Sequence, residues 1–476
     1  MNPMRTNASA LAVAVAAAAC LGDTANAQVD RHELGLRLRA FERRLDATPD
    51  PARRRAAYGE LDRAVQAFFR LDTTTVARAI AAADEALAGG ATEDQRFAAS
   101  LCVDLPSRLV DPRAGKVALR LAAAFKTGAE LPADLVWCAR LDGEPVDRLR
   151  LSVAALPVDA ELDLADARTG DRTLQWELRR GDTLLLARAQ GLSLAVDANK
   201  RLDAVVAAAG ERDRQPTTLE VGTLDLLAGL CAGMTKANGE ETVLPGARLL
   251  DEAEALAASV ASGSTHYGAA TKGQFWLRVP TGRTATVARL QTPDKPPADG
   301  ARAPLVLALH GAGGSENLFF DGYGDGAIAP LCAARGWFLA APRLGMMGGG
   351  ADLPALVDAL AARWPIDPAR VVVVGHSMGA GAAMSATGRA PGRFRAVAAL
   401  GGGGAVPRAG AKAPPFFVGV GLRDFALAGA KSLHAGLEKA GFAATLREYP
   451  DVEHLAIVQI ALPDVFTFFD AALAPK

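Results

Sequence analysis

The sequence predicts a multi-domain chain whose C-terminal part is an α/β unit, a mostly parallel sheet with flanking helices, preceded by helical and small antiparallel β regions. Three observations carry this. The chain has 476 residues, which at roughly 100–200 residues per domain means several domains. The spacing of apolar residues changes period along the chain, from three-and-four to two and back again. From about residue 272 onward, short unbroken apolar runs alternate with helical stretches, the pattern of strands buried on both faces between layers of helix.

Composition sets the outer limits. Half of the residues are hydrophobic and 22% are charged, the balance of a chain that folds. Lys and Arg total 52 against 53 for Asp and Glu. A net charge of −1 gives no field for a phosphate backbone or an anionic membrane, so nucleic acid is not an expected partner. Aromatics are only 5%, which points to an interior of small aliphatics and away from recognition by stacking.

Residues 1–27 read as a secretory signal peptide. Arg5 gives a basic start, Ala8 to Leu21 is an apolar stretch, and Ala25-Asn26-Ala27 satisfies the small-x-small cleavage rule ahead of Gln28. The expected location is therefore secreted or periplasmic. No integral membrane segment is expected after cleavage, because no later stretch reaches the ~18 apolar residues of a span. Cleavage leaves Cys102, Cys138, Cys231 and Cys332. They form no Cys-x-x-Cys pair and lie far from histidine, so buried free thiols, or one bridge such as Cys102 to Cys138, are expected and no metal is implied.

Residues 28–95 form a helical region: Leu34, Leu38, Phe41 and Leu45 recur at helical spacing, and Leu61, Val65, Phe68 and Phe69 repeat it after Pro49 and Pro51. Residues 96–200 alternate with period two, as in Lys116–Leu121, Asp147–Val153 and Thr173–Leu178, with turn signals at Asp142-Gly143 and Arg180-Gly181-Asp182. A β-rich antiparallel domain follows. Helical periodicity returns in residues 201–271, a connecting region with Arg201–Ala209, Leu224–Leu230 and Leu249–Val260. Residues 272–476 open with the strands Phe275–Pro280 and Thr284–Leu290. The buried runs Leu305–Leu309, Trp337–Ala341, Val371–Val374, Arg395–Leu400, Phe416–Val420 and Thr445–Tyr449 come next.

The chemistry concentrates in this last region. Directly after the four-valine run stands Gly375-His376-Ser377-Met378-Gly379, followed by the helical stretch Ala380–Thr387. A serine at the apex of a strand-turn-helix is lifted towards a base, and glycines two residues to either side are what so crowded a turn needs. A serine hydroxyl becomes a nucleophile only when a base takes its proton and a third group holds that base. Asp424 follows the strand Phe416–Val420 at the edge where such sheets bind ligands, with Asp451 and Glu453 as rival acids. His454 follows the last strand; among His32, His266, His310, His376 and His434 as well, it alone stands downstream of that acid and after that strand. The catalytic set is Ser377, Asp424 and His454.

The loop His310-Gly311-Ala312-Gly313-Gly314 follows Leu305–Leu309. Backbone N–H groups of Ala312 or Gly313, with that of Met378, are expected to form an oxyanion hole. A phosphate cradle does not fit, since no Gly-x-x-x-x-Gly-Lys-Ser/Thr run stands in this region. His310, as a holder of the loop, and Phe319, Phe320 and Tyr323 complete the expected substrate pocket. No cofactor is required.

On these residues, the region from about 272 to 476 resembles the α/β-hydrolase superfamily. The HGAGG loop, the GHSMG elbow and the lead-in Ile366-Asp367-Pro368-Ala369-Arg370 are similar to secreted esterases related to polyhydroxybutyrate depolymerases, feruloyl esterases and dienelactone hydrolases. Prolyl-oligopeptidase-type serine peptidases are similar too. One departure is that Asp451 stands three residues before His454, where many members carry Gly. The resemblance implies two-step acyl transfer, with an ester, polymer-linked esters included, or a peptide as substrate. A secreted binding protein with an inert hydrolase unit is the reading from another class. Only Gly401–Pro415 follow the strand Arg395–Leu400, where relatives insert a lid, so the site is expected to be open unless the amino-terminal regions cover it.

Overall fold

The computed structural model describes residues 29–210, 216–236, 239–295, 301–345, 348–408 and 413–474; the leader expected over residues 1–27 lies outside them. The chain begins with four helices, α1 (Arg31–Ala47), α2 (Pro51–Phe69), α3 (Thr73–Ala88) and the short α4 (Glu93–Ala99). Each starts where a short polar side chain takes up an orphan backbone N–H: Asp30, Asp50, Asp72 and Thr92 all accept from the first turn. Pro51 opens α2 at the position where a missing N–H costs nothing.

The β-rich region is a sandwich built from β1 (Leu101–Asp104), β2 (Leu109–Val110), β3 (Lys116–Ala123), β4 (Leu135–Leu141), β5 (Leu149–Ser152), β6 (Val158–Asp163), β7 (Gly170–Arg180) and β8 (Thr183–Leu194). One sheet has the order β1-β3-β6 and the other β2-β8-β7-β4-β5. Alternation does the sorting: in β3, Val117, Leu119 and Leu121 point inward against Trp137, Leu174 and Trp176 of the facing sheet. The all-antiparallel expectation needs one correction. β2 pairs parallel with β8, because the chain reaches β2 from the edge of the first sheet rather than by a hairpin.

Three helices follow, α5 (Ala198–Ala209), α6 (Leu219–Met234) and α7 (Gly246–Ser262). The C-terminal unit then runs β9 (Gln274–Thr281), β10 (Thr284–Gln291), β11 (Ala303–Leu309), α8 (Ile328–Ala333), β12 (Phe338–Pro342), α9 (Leu353–Ala361), β13 (Ile366–His376), α10 (Met378–Arg389), β14 (Ala396–Leu400), β15 (Phe416–Gly421), α11 (Leu427–Lys439), β16 (Ala444–Tyr449) and α12 (Ile457–Leu473). Its eight strands lie in the order β16-β15-β14-β13-β11-β12-β10-β9. Only β10 runs against the others.

Strict alternation in the central strands sends side chains to two cores. Leu305, Leu307, Val371 and Val373 face α9, α10 and α11, together with α5, α6 and α7. Val306, Ala308, Val372 and Val374 face α8 and α12, together with α1, α2 and α3. Helices α1–α3 and α5–α7 therefore finish the two faces of the eight-stranded sheet. Each fully buried Leu or Val here contributes about 1.5–3 kcal/mol, so these helices are integral to the unit. All four described cysteines are buried and free, so the Cys102–Cys138 bridge does not form.

The path from β11 to β12 moves to one side of β11, and β13 returns on the other. Loops after β11 and β13 thus leave in opposite directions, which opens a crevice at the C-terminal ends of these neighbouring strands. No described helix is long and apolar enough to cross a membrane.

Candidate active site

The crevice holds the residues singled out from sequence. β13 ends at His376, and Ser377 turns the chain into α10 with φ 54° and ψ −115°, a backbone conformation costly for any side chain. The turn is over-determined by its glycines. A Cβ on Gly375 would lie 2.2 Å from the Gly379 carbonyl oxygen, and one on Gly379 would lie 2.0 Å from that of Leu309. Only residues without a Cβ let strand, turn and helix close this far.

Ser377 Oγ–H donates to His454 Nε2 at 2.9 Å, and His454 Nδ1–H donates to Asp424 Oδ1 at 2.8 Å. Asp424 follows β15 and also accepts from the Ala426 N–H at 2.7 Å, which fixes the carboxylate; its Oδ2 is buried with no hydrogen-bond partner among the described residues. The rival acids do other things. Asp451 reaches Arg55 at 3.4 Å on the surface. Glu453 turns back to accept from the N–H groups of Leu455 and Ala456, and burial pushes its carboxyl up to about 8. The residue standing where many relatives have Gly, Asp451, takes φ 60°. Asp tolerates the left-handed region better than most side chains, so the loop keeps its course without glycine.

On the other lip, the N–H groups of Ala312, Gly313 and Met378 donate to no partner among the described residues. Met378 is the first residue of α10, where N–H groups are unpaired and the helix dipole favours negative charge. His310 anchors the loop: its Nδ1–H donates to the Gly311 carbonyl at 2.7 Å, and its Nε2 accepts from the Leu344 N–H at 2.9 Å. Burial holds its pKa below the ordinary value.

Tyr323 and His376 join the two lips. The Gly311 N–H donates to Tyr323 Oη at 3.3 Å, Tyr323 Oη lies 2.6 Å from His376 Nδ1, and His376 Nε2 lies 2.8 Å from the carbonyl oxygen of His454. A carbonyl only accepts, so Nε2 carries the proton. Burial, then the neighbouring His454, depresses the His376 pKa well below its usual value, and the neutral ring leaves Nδ1 to accept from the tyrosine hydroxyl. The loop after β11 is thereby tied to the backbone of His454 through two fully buried rings.

Of the expected pocket residues, only Tyr323 lines the cavity beside Ser377. His310 lies behind its loop. Phe319 is buried against Tyr323 with ring centroids 4.8 Å apart, and the Phe320 ring packs on the Arg289 guanidinium at 4.5 Å. Both phenylalanines point into the core because they lie on a π-helical turn at Leu318–Gly322 that buries them under α1. The walls that sequence reasoning missed come from α1, α2 and α3, which roof the cavity. Phe68 of α2 touches the His310–Gly314 loop so closely that a Cβ on Gly313, at φ 75°, would lie 2.0 Å from its ring. Phe425 stacks on His454 at 4.2 Å and meets Phe69 edge-on at 6.2 Å. The amino-terminal helices partly cover the site, the condition under which the short Gly401–Pro415 segment does not leave it open.

The strand order, the strained serine between β13 and α10, and an acid and a histidine after later strands define the architecture. The C-terminal unit has the α/β-hydrolase fold. No family model and no curated protein matches the sequence. Among solved structures, an S-formylglutathione hydrolase from Agrobacterium tumefaciens is similar at 18% identity, covering 44% of this chain and 98% of that one, with a TM-score of 0.35. A ferulic acid esterase is similar at 16% identity, covering 44% and 100%, with a TM-score of 0.35. A dipeptidyl peptidase 4 from Porphyromonas gingivalis shares 14% identity, covering 49% of this chain and 38% of that one, with a TM-score of 0.33. Likenesses this weak say nothing about the reaction.

Proposed function

We propose that this chain is a secreted serine hydrolase that cleaves carboxylic esters through an acyl-enzyme intermediate. The observation that carries the reading is the hydrogen-bonded line from Asp424 through His454 to Ser377, 2.8 Å and 2.9 Å long, beside unpaired N–H groups. An inert scaffold has no need of a strained serine aligned with a base.

In the first step His454 Nε2 takes the Ser377 proton while Oγ bonds to the ester carbonyl carbon. Asp424 fixes the ring with Nε2 towards the serine and stabilises the imidazolium that forms. The carbonyl electron pair moves to oxygen, where the N–H of Met378 and that of Ala312 or Gly313 receive it. Collapse expels the alkoxide, which takes the proton from His454. Water then repeats the cycle with His454 as base, releasing the acid and restoring Ser377. The leader over residues 1–27 is the support for secretion. Labelling with a fluorophosphonate, and hydrolysis of p-nitrophenyl esters, test the reading; both should vanish in Ser377→Ala.

A further inference from the structure

The cavity beside Ser377 has a volume of about 180 Å³, and nearly half of its lining residues lie outside the hydrolase unit. Leu34 and Leu38 of α1, Val65 and Phe68 of α2, and Val76 and Ile80 of α3 face it. The charged groups on its wall are already committed. Glu241 is bonded to Arg31 and Ser315, and Asp321 to Arg289 at 2.5 Å and to Thr242. Asn317 spends its amide on Trp276 and Ser315. What remains beside the reacting groups is hydrocarbon, and an apolar cavity takes an apolar guest.

Resting on the serine-hydrolase reading, we propose that this cavity receives the acyl chain of an aliphatic ester, and that α1, α2 and α3 set the chain length accepted. An apolar cavity of about 150 Å³ takes benzene, a six-carbon guest, so this space suits an acyl chain of similar size. Esters of acids of about four to eight carbons fit it, and the Phe68 ring of α2 stands against Gly313 beside it. The helices are held in place by the core they share with the hydrolase unit, in which Phe41, Leu61 and Ile80 pack in one buried cluster with Phe319, Val458 and Leu462. They therefore act as fixed walls.

The test is a p-nitrophenyl series from acetate to palmitate on the mature chain, on Val65→Trp and on Phe68→Ala. Each methylene that enters an apolar site contributes about fourfold in kcat/KM, so hexanoate should exceed acetate by on the order of a hundredfold, with a fall beyond octanoate. The hexanoate-to-acetate ratio within Val65→Trp should collapse towards one, and Phe68→Ala should move the optimum to longer chains. Because the readout is a ratio within each variant, partial loss of folded protein does not imitate it. A wild-type enzyme that labels with fluorophosphonate yet shows a flat or falling profile overturns this proposal and leaves the serine-hydrolase reading standing. Absence of both labelling and turnover overturns both.

Discussion

Removing the Tyr323 hydroxyl should damage the site without touching any reacting group. Tyr323→Phe conserves the buried ring, which is 1% exposed, but leaves two polar groups without partners, the Gly311 N–H and His376 Nδ1. A buried polar group stranded in this way costs about 1–3 kcal/mol. The Gly311 bond is long at 3.3 Å and belongs at the lower end; the 2.6 Å contact to the imidazole belongs nearer the middle. The sum is about 3 kcal/mol, to be read in urea denaturation from the transition that reports the catalytic unit. Two lips that drift apart misplace the oxyanion donors relative to His454, so kcat should fall about tenfold, equivalent to about 1.4 kcal/mol of barrier, with KM changed far less. A merely structural tyrosine would lower the amount of folded enzyme and leave kcat per folded molecule intact. A stability change below about 0.5 kcal/mol, within the range of an ordinary surface substitution, or an unchanged kcat, refutes the relay.

Burial raises the Glu453 carboxyl from its ordinary range to about 8, so the folded state holds a proton that the unfolded chain has lost. The stability this supports is fully present below about pH 4.5 and declines as pH rises towards 8, by up to about 1.4 kcal/mol per pH unit. Measured between pH 5 and 8, wild type should therefore lose stability relative to Glu453→Gln; a constant difference contradicts the assignment. Asp451, at φ 60°, should tolerate glycine and resist β-branching: Asp451→Val should be less stable than Asp451→Gly by about 1–2 kcal/mol, and equal midpoints in urea would show that the loop does not depend on this conformation. Its pair with Arg55, about half exposed on both sides, contributes little.

What the sequence made legible follows the range of the interactions involved. The elbow can be read because five consecutive residues, Gly375 to Gly379, contain the whole steric reason for it. The parallel strands can be read because burial on both faces leaves an unbroken apolar run, as in Val371–Val374. Asp424 could be singled out because it stands directly after a buried strand, but what the rival acids do needed the fold: Asp451 meets Arg55 on the surface, and Glu453 turns back to the N–H groups of Leu455 and Ala456. The roof was not legible. The apolar positions Leu34, Leu38, Val65 and Phe68 announced amphipathic helices but not their partner, which lies more than two hundred residues away along the chain. Phe319 and Phe320 misled for a related reason: they sit close in sequence to the His310–Gly314 loop, yet a single π-helical turn swings them into the core and leaves Tyr323 at the site.

The measurement closest to the central claim is covalent labelling of the mature protein by a fluorophosphonate, located by peptide mapping and run beside Ser377→Ala and a short-chain p-nitrophenyl ester assay. The account predicts one labelled residue, Ser377, with turnover that disappears in the variant. Labelling elsewhere, or turnover that survives the loss of the Ser377 hydroxyl, would contradict it.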